Sequence, residues 1–104
     1  MADLIIPKGD YGYYLNFTIT DSDGTAYDLT AYTITLKVWA KGDPSNLLIN
    51  AACTPIVAAD GTCRYLLVDG NVGTKGLYNF EIELTKVGAE ESTDTYELEV
   101  TESG

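Results

Sequence analysis

The ten residues from Gly76 to Thr85, Gly-Leu-Tyr-Asn-Phe-Glu-Ile-Glu-Leu-Thr, constrain the fold more than any other stretch of the chain. Tyr78, Phe80, Ile82 and Leu84 alternate with Asn79, Glu81, Glu83 and Thr85. A period of two sends the apolar set to one face and the polar set to the other. A helix would scatter both sets around its axis. The stretch therefore predicts a half-buried antiparallel strand, central enough to turn two aromatic rings inward.

The same period recurs elsewhere. Tyr13, Leu15, Phe17 and Ile19 alternate with polar residues, as do Ile34, Leu36 and Val38 after Tyr32. Cys63, Tyr65 and Leu67 form an inward set, and Tyr96, Leu98 and Val100 another. Asp3 to Pro7 reads as a short edge strand, because proline offers no ladder donor. Asp21-Ser22-Asp23-Gly24 and Ala59-Asp60-Gly61 read as turns. Lys41 to Asn46 breaks the third strand, Leu47 to Asn50 is a short crossover strand, and Val87 to Ser92 is a polar turn. Leu29 plugs one end of the core. About seven strands at spacings of about 8–15 residues, with no helical period, predict an all-β sandwich. The 104 residues are expected to form one domain, 1–104, and a chain of that size buries roughly 65% of its unfolded surface without a metal or crosslink. The last strand ends close to Gly104, as at a domain boundary, which leaves open a longer parent polypeptide.

Sixteen acids against six bases give a formal charge of −10. Such a field repels phosphate backbones and anionic lipid, so neither nucleic acid nor membrane is an expected partner. The chain has no histidine, which removes the commonest general base and metal ligand. An enzyme is not expected, and no cofactor is implied. No secretion signal or membrane span is legible, so synthesis in a cytosol is expected.

Three groups of residues invite a functional reading. Asp21, Asp23 and Asp28 share the opening of acidic calcium loops, but the position that should carry a bidentate glutamate is Tyr32 and the flanks are strands. A turn held by Asx hydrogen bonds and a surface calcium site both stay open, the turn preferred. Cys53 and Cys63 would be staggered by about three positions across a hairpin, so two free thiols are expected rather than a disulfide. Among the eight tyrosines, Tyr11, Tyr14 and Tyr27 fall outside the inward phases and are candidates for stacking on sugars.

Two further patterns carry a resemblance. Asp69 upstream of Gly76-Leu77-Tyr78 is similar to the Asp…Gly-x-Tyr entry to a central strand of immunoglobulin-like sandwiches, where a tyrosine ties the corner. Gly9-Asp10 before the first long strand, Gly24-Thr25-Ala26-Tyr27-Asp28-Leu29-Thr30 before the next, and Asp60-Gly61 before another give an order along most of the chain. That order resembles the N-terminal immunoglobulin-like domain of tailed-phage baseplate upper proteins and similar tail-fibre modules. The resemblance implies an immunoglobulin-like antiparallel β-sandwich. It also implies a non-catalytic virion scaffold that docks on other tail proteins, with self-association as a second mode, and positions a host-adhesion device. Made in the host bacterial cytoplasm, the protein would reside in the virion. The rival class is a carbohydrate-binding or bacterial surface adhesion module of the same fold.

The expected interaction face is the polar side of the opening strand and its neighbours: Glu81, Glu83, Glu97 and Glu99, with Lys37 projecting among them. Placing Phe80 opposite Leu98 sets Glu81 against Glu97, a like-charge pair costing a few tenths to about 1 kcal/mol.

Overall fold

The computed structural model describes residues 3–21, 23–93 and 95–102. Among these residues it contains nine strands, one short 3-10 turn (Ala58–Asp60) and no α-helix. The strands are β1 (Leu4–Pro7), β2 (Tyr14–Thr18), β3 (Thr33–Ala40), β4 (Asp43–Ala52), β5 (Thr54–Val57), β6 (Thr62–Leu66), β7 (Gly76–Lys86), β8 (Ala89–Ser92) and β9 (Tyr96–Thr101). The larger sheet runs β1-β9-β7-β3-β4, with β8 also paired to β7, and the smaller runs β2-β6-β5. The all-β sandwich expected from the alternation is what forms.

The purely antiparallel arrangement is corrected at one edge. β1 pairs with β9 in parallel, Leu4 beside Leu98 and Ile6 beside Val100. That register puts Ile6, 1% exposed, into the core beside Val100, and the Pro7 nitrogen, which has no hydrogen to offer, sits at the end of an edge strand. The strand count is nine rather than about seven; Ala89–Ser92, read as part of a turn, is a strand, and the short strand read at Leu47 to Asn50 starts earlier, inside the segment read as a break. Lys41-Gly42 is a tight turn after which the chain pairs again, Ala40 facing Asp43. β4 is thus a ten-residue edge strand, and Pro44 is tolerated there because an edge strand needs ladder donors on one side only.

The stretch 87–92 is likewise no extended turn. Only Val87-Gly88 turns; Lys86 faces Ala89 and Glu83 faces Ser92. From Glu83 back to Phe80 is three residues, whereas from Ser92 on to its partner Tyr96 is four. The extra residue is a bulge. It restores the phase that a two-residue turn alone would have inverted, so Leu98 and Val100 point inward with β7's apolar set.

The core gathers Leu15, Ile19, Ile34, Leu36, Val38, Tyr65, Tyr78, Phe80, Ile82, Leu84, Leu98 and Val100, all inward residues of the alternating runs. Leu29 plugs the end as expected, 2% exposed. Tyr13 is a correction: it lies before β2, 41% exposed, and its hydroxyl donates to Asp10 Oδ2 at 2.8 Å. Burial and that carboxylate both push its ionisation up. Phe17 is only half-buried. Cys53 and Cys63 are buried free thiols; Pro55 faces Cys63, which leaves Cys53 two residues out of register with it.

Candidate functional site

The outer face of the larger sheet collects the residues that point away from the core. β3 and β7 set Lys37 directly opposite Glu81 and Thr35 opposite Glu83. Lys37 Nζ reaches across to Glu83 Oε2 at 2.9 Å, and this hydrogen bond, against the opposing effect of burial, holds the ammonium above its ordinary range. Lys37, Glu81 and Glu83 are therefore brought together as the alternation implied.

The expected apposition of Glu81 and Glu97 does not occur. Leu98 faces Tyr78 rather than Phe80, so Glu97 lies opposite Asn79 and Glu99 opposite Leu77. The parity was legible from the apolar phase, but the register depends on the tight turn and the bulge, and it differs from expectation by two residues. Glu97 gains a partner that the sequence pattern hid. Lys41 Nζ lies 2.5 Å from Glu97 Oε2, and that bond lowers the Glu97 pKa. Removing charge at Glu81 and Glu97 thus relieves no direct like-charge pair.

The same face also carries apolar groups. Ile5 pairs with Glu99, Glu99 with Leu77, and Trp39 with both Asn79 and Leu47. Ile5 is 58% exposed, Leu77 48% and Leu47 43%, and Trp39 is half-buried. Acids and large apolar side chains are interleaved across β1, β9, β7, β3 and β4. Ile5 and Leu77 were missed by a reading that searched for charge, although each occupies the outward phase of its strand.

A second locus lies between the sheets, where β2 stands apart from β8 and β9. A cleft of about 770 Å³ opens there, floored by Phe17, Phe80, Ile82, Leu84 and Tyr96. Phe80 links its aromatic neighbours, 6.1 Å from Phe17 and 5.5 Å from Tyr96 between ring centroids. At one end Tyr27 and Tyr32 both donate hydroxyl hydrogen bonds to Glu91 Oε2. The two hydroxyls lower the Glu91 pKa, and the carboxylate in turn pushes Tyr27 up. Lys86 Nζ sits 4.6 Å from the centre of the Tyr32 ring. Glu91 faces Leu84 across the ladder, in the inward phase, and so reaches the cleft rather than the outer face.

The acidic loop serves the backbone. Asp21 Oδ1 accepts from the amides of Asp23 and Thr25 at 2.9 and 3.1 Å. Asp28 Oδ1 accepts from the Thr30 amide and hydroxyl, and these bonds lower its pKa. Asp23 is exposed, and Ser22 lies outside the described residues. Among the described residues no three histidine, cysteine, aspartate or glutamate side chains converge on a point a metal ion would occupy. Of the stacking candidates, Tyr14 has Arg64 over its ring, the guanidinium carbon 4.0 Å from the ring centre, and stays exposed, as does Tyr11; Tyr27 is engaged with Glu91.

No family model matches this chain, and no curated protein matches it.

Proposed function

We propose that the protein is a non-catalytic docking module of a tailed-phage virion, joining baseplate or tail proteins and positioning a host-adhesion device. The observation that carries this reading is the outer face of the larger sheet. Exposed Ile5, Leu47 and Leu77 with half-buried Trp39 lie among Glu81, Glu83, Glu97 and Glu99. Aromatic and aliphatic groups set within a charged surround are the composition of a protein-binding patch. Lys37 and Lys41 each engage one glutamate, and Glu99 has no ion pair among the described residues. The acids then set partner charge and association rate, while the apolar groups supply affinity.

The strand order supports an immunoglobulin-like reading. On that reading β9-β7-β3 and β2-β6-β5 would take the places of the central strands of the two sheets, and the bond from Tyr78 to Thr74 that of the corner tie. No catalytic role is assigned to any residue.

The test begins with the genes flanking the coding sequence, which should encode tail components. Association of the purified chain with those products should weaken as salt rises. Exchanging Glu81 and Glu99 for Gln should slow association and flatten its salt dependence. Binding to immobilised glycans, with no affinity for the flanking products, would replace this reading with the carbohydrate-binding one, for which exposed Tyr11 is the first residue to replace.

A further inference from the structure

We propose that the free edge of β2 accepts an extended, basic and apolar segment of a partner protein, which adds a strand to the smaller sheet and fills the cleft between the sheets. This site is separate from the outer face, and it holds whichever assembly the module serves.

Backbone geometry supplies the first part. β2 pairs with β6 along one edge and with no strand along the other, among the described residues. Leu67 N donates to Tyr13 O and Ile19 N to Gly61 O, which makes the odd residues of this segment the ones bonded toward β6. In an antiparallel ladder the bonding direction alternates. The amide and carbonyl groups of Tyr14, Asn16 and Thr18 therefore point to the free edge. Exposed, unpaired edges of this kind invite an added strand.

This edge borders the cleft between the sheets. A strand laid beside β2 would turn alternate side chains onto Phe17, Phe80 and Tyr96, and the others toward solvent. Five or six residues at roughly 3.3 Å each span the edge from Tyr14 to Ile19. The cleft is of the size at which specific ligands bind.

Charge selects the occupant. Asp3, Asp21 and Glu91 line the cleft, and no lysine or arginine does so among the described residues; Lys86, over the Tyr32 ring at the Glu91 end, lies outside that lining. With a net charge of −10, a second copy of this chain is a poor donor. A segment alternating aliphatic residues with lysine or arginine matches both the floor and the rim.

The probe is the heptapeptide Lys-Ile-Lys-Val-Lys-Ile-Lys, added to the full isotope-labelled chain and followed by amide exchange. The amides of Asn16 and Thr18 should exchange rapidly in the free protein and slow by at least about tenfold with peptide. A peptide with its alternate ladder amides N-methylated should not protect them. A peptide with Glu in place of Lys should bind at least about tenfold more weakly, and high salt should shrink that difference. Thr18→Pro removes one donor from the free edge and none from the β6 ladder, so it should abolish protection at Asn16. The N-methylated peptide keeps the test valid on the unaltered chain if that variant fails to fold. Saturating peptide without slowed exchange at Asn16 and Thr18, or perturbation confined to β4 or the outer face, would overturn the proposal. So would protection that appears without peptide and disappears on dilution, since the edge would then be closed by a second copy.

Discussion

The hydroxyl of Tyr78 donates to the carbonyl oxygen of Thr74 at 2.8 Å, tying the entry of β7 to the loop four residues upstream. The ring is 8% exposed, so the bond lies at the boundary of core and loop. Tyr78→Phe keeps the ring packing and removes only the hydroxyl. A loss of about 0.5–1.5 kcal/mol is expected, the ordinary net worth of one such bond. It should show as a lower urea midpoint with an unchanged slope.

Gly61 ends the 3-10 turn with a φ of 74°, and a β-carbon there would stand 2.4 Å from the Ile19 carbonyl oxygen and 2.8 Å from that of Tyr27. Gly24 also has positive φ, 82°, but open space around it. Gly24→Ala should cost only the left-handed term, about 1–2 kcal/mol. Gly61→Ala adds a backbone clash worth about 1–3 kcal/mol more. Equal losses in urea denaturation would show that the close approach at Gly61 is relaxed in solution.

Cys53 and Cys63 should both titrate as free thiols in unreduced, denatured protein. In the native state the hydrogen bond with Cys63, followed by burial, pushes the Cys53 thiol above its ordinary value of 9.0. A raised thiol pKa contributes stability that is fully present below the unfolded value and is lost as pH rises above it. The same hydrogen bond lowers the Cys63 thiol while burial raises it, so the variant that should flatten the alkaline limb of the stability profile is the double one, Cys53→Ala with Cys63→Ala. A mass two daltons short with no reactive thiol would contradict the free-thiol assignment.

Glu91 and Glu97 both titrate below their ordinary value of 4.5, held down by the tyrosine hydroxyls and by Lys41 respectively. Depressed carboxylates contribute stability present above the unfolded pKa and lost as pH falls through the folded one. Stability should thus decline below about pH 5. Glu91→Gln and Glu97→Gln should each make the acid limb shallower. Thermal unfolding over a pH series measures this.

The alternation in 76–85 was sufficient to specify an inward set and an outward set, because side-chain direction on a strand follows from sequence position alone. The same rule separated Lys37, Glu81 and Glu83 from Ile34, Leu36 and Val38, and the turn glycines located most chain reversals. Parity was thus legible. Absolute register was not, since it depends on the length of a turn and on a single inserted residue between Ser92 and Tyr96. Local pattern gives no sign of either, and the difference moved Glu97 from Glu81 to Asn79 and Lys41.

Two features of the candidate sites were settled by tertiary structure alone. β1 lies parallel to β9, which brings Ile5 to the acidic face; no local pattern specifies which edge a short terminal strand will join. The cleft exists because β2 lacks a neighbour on the side facing Phe80 and Tyr96. A strand's own sequence sets which side chains point inward, but whether its second edge is paired depends on where the rest of the chain goes.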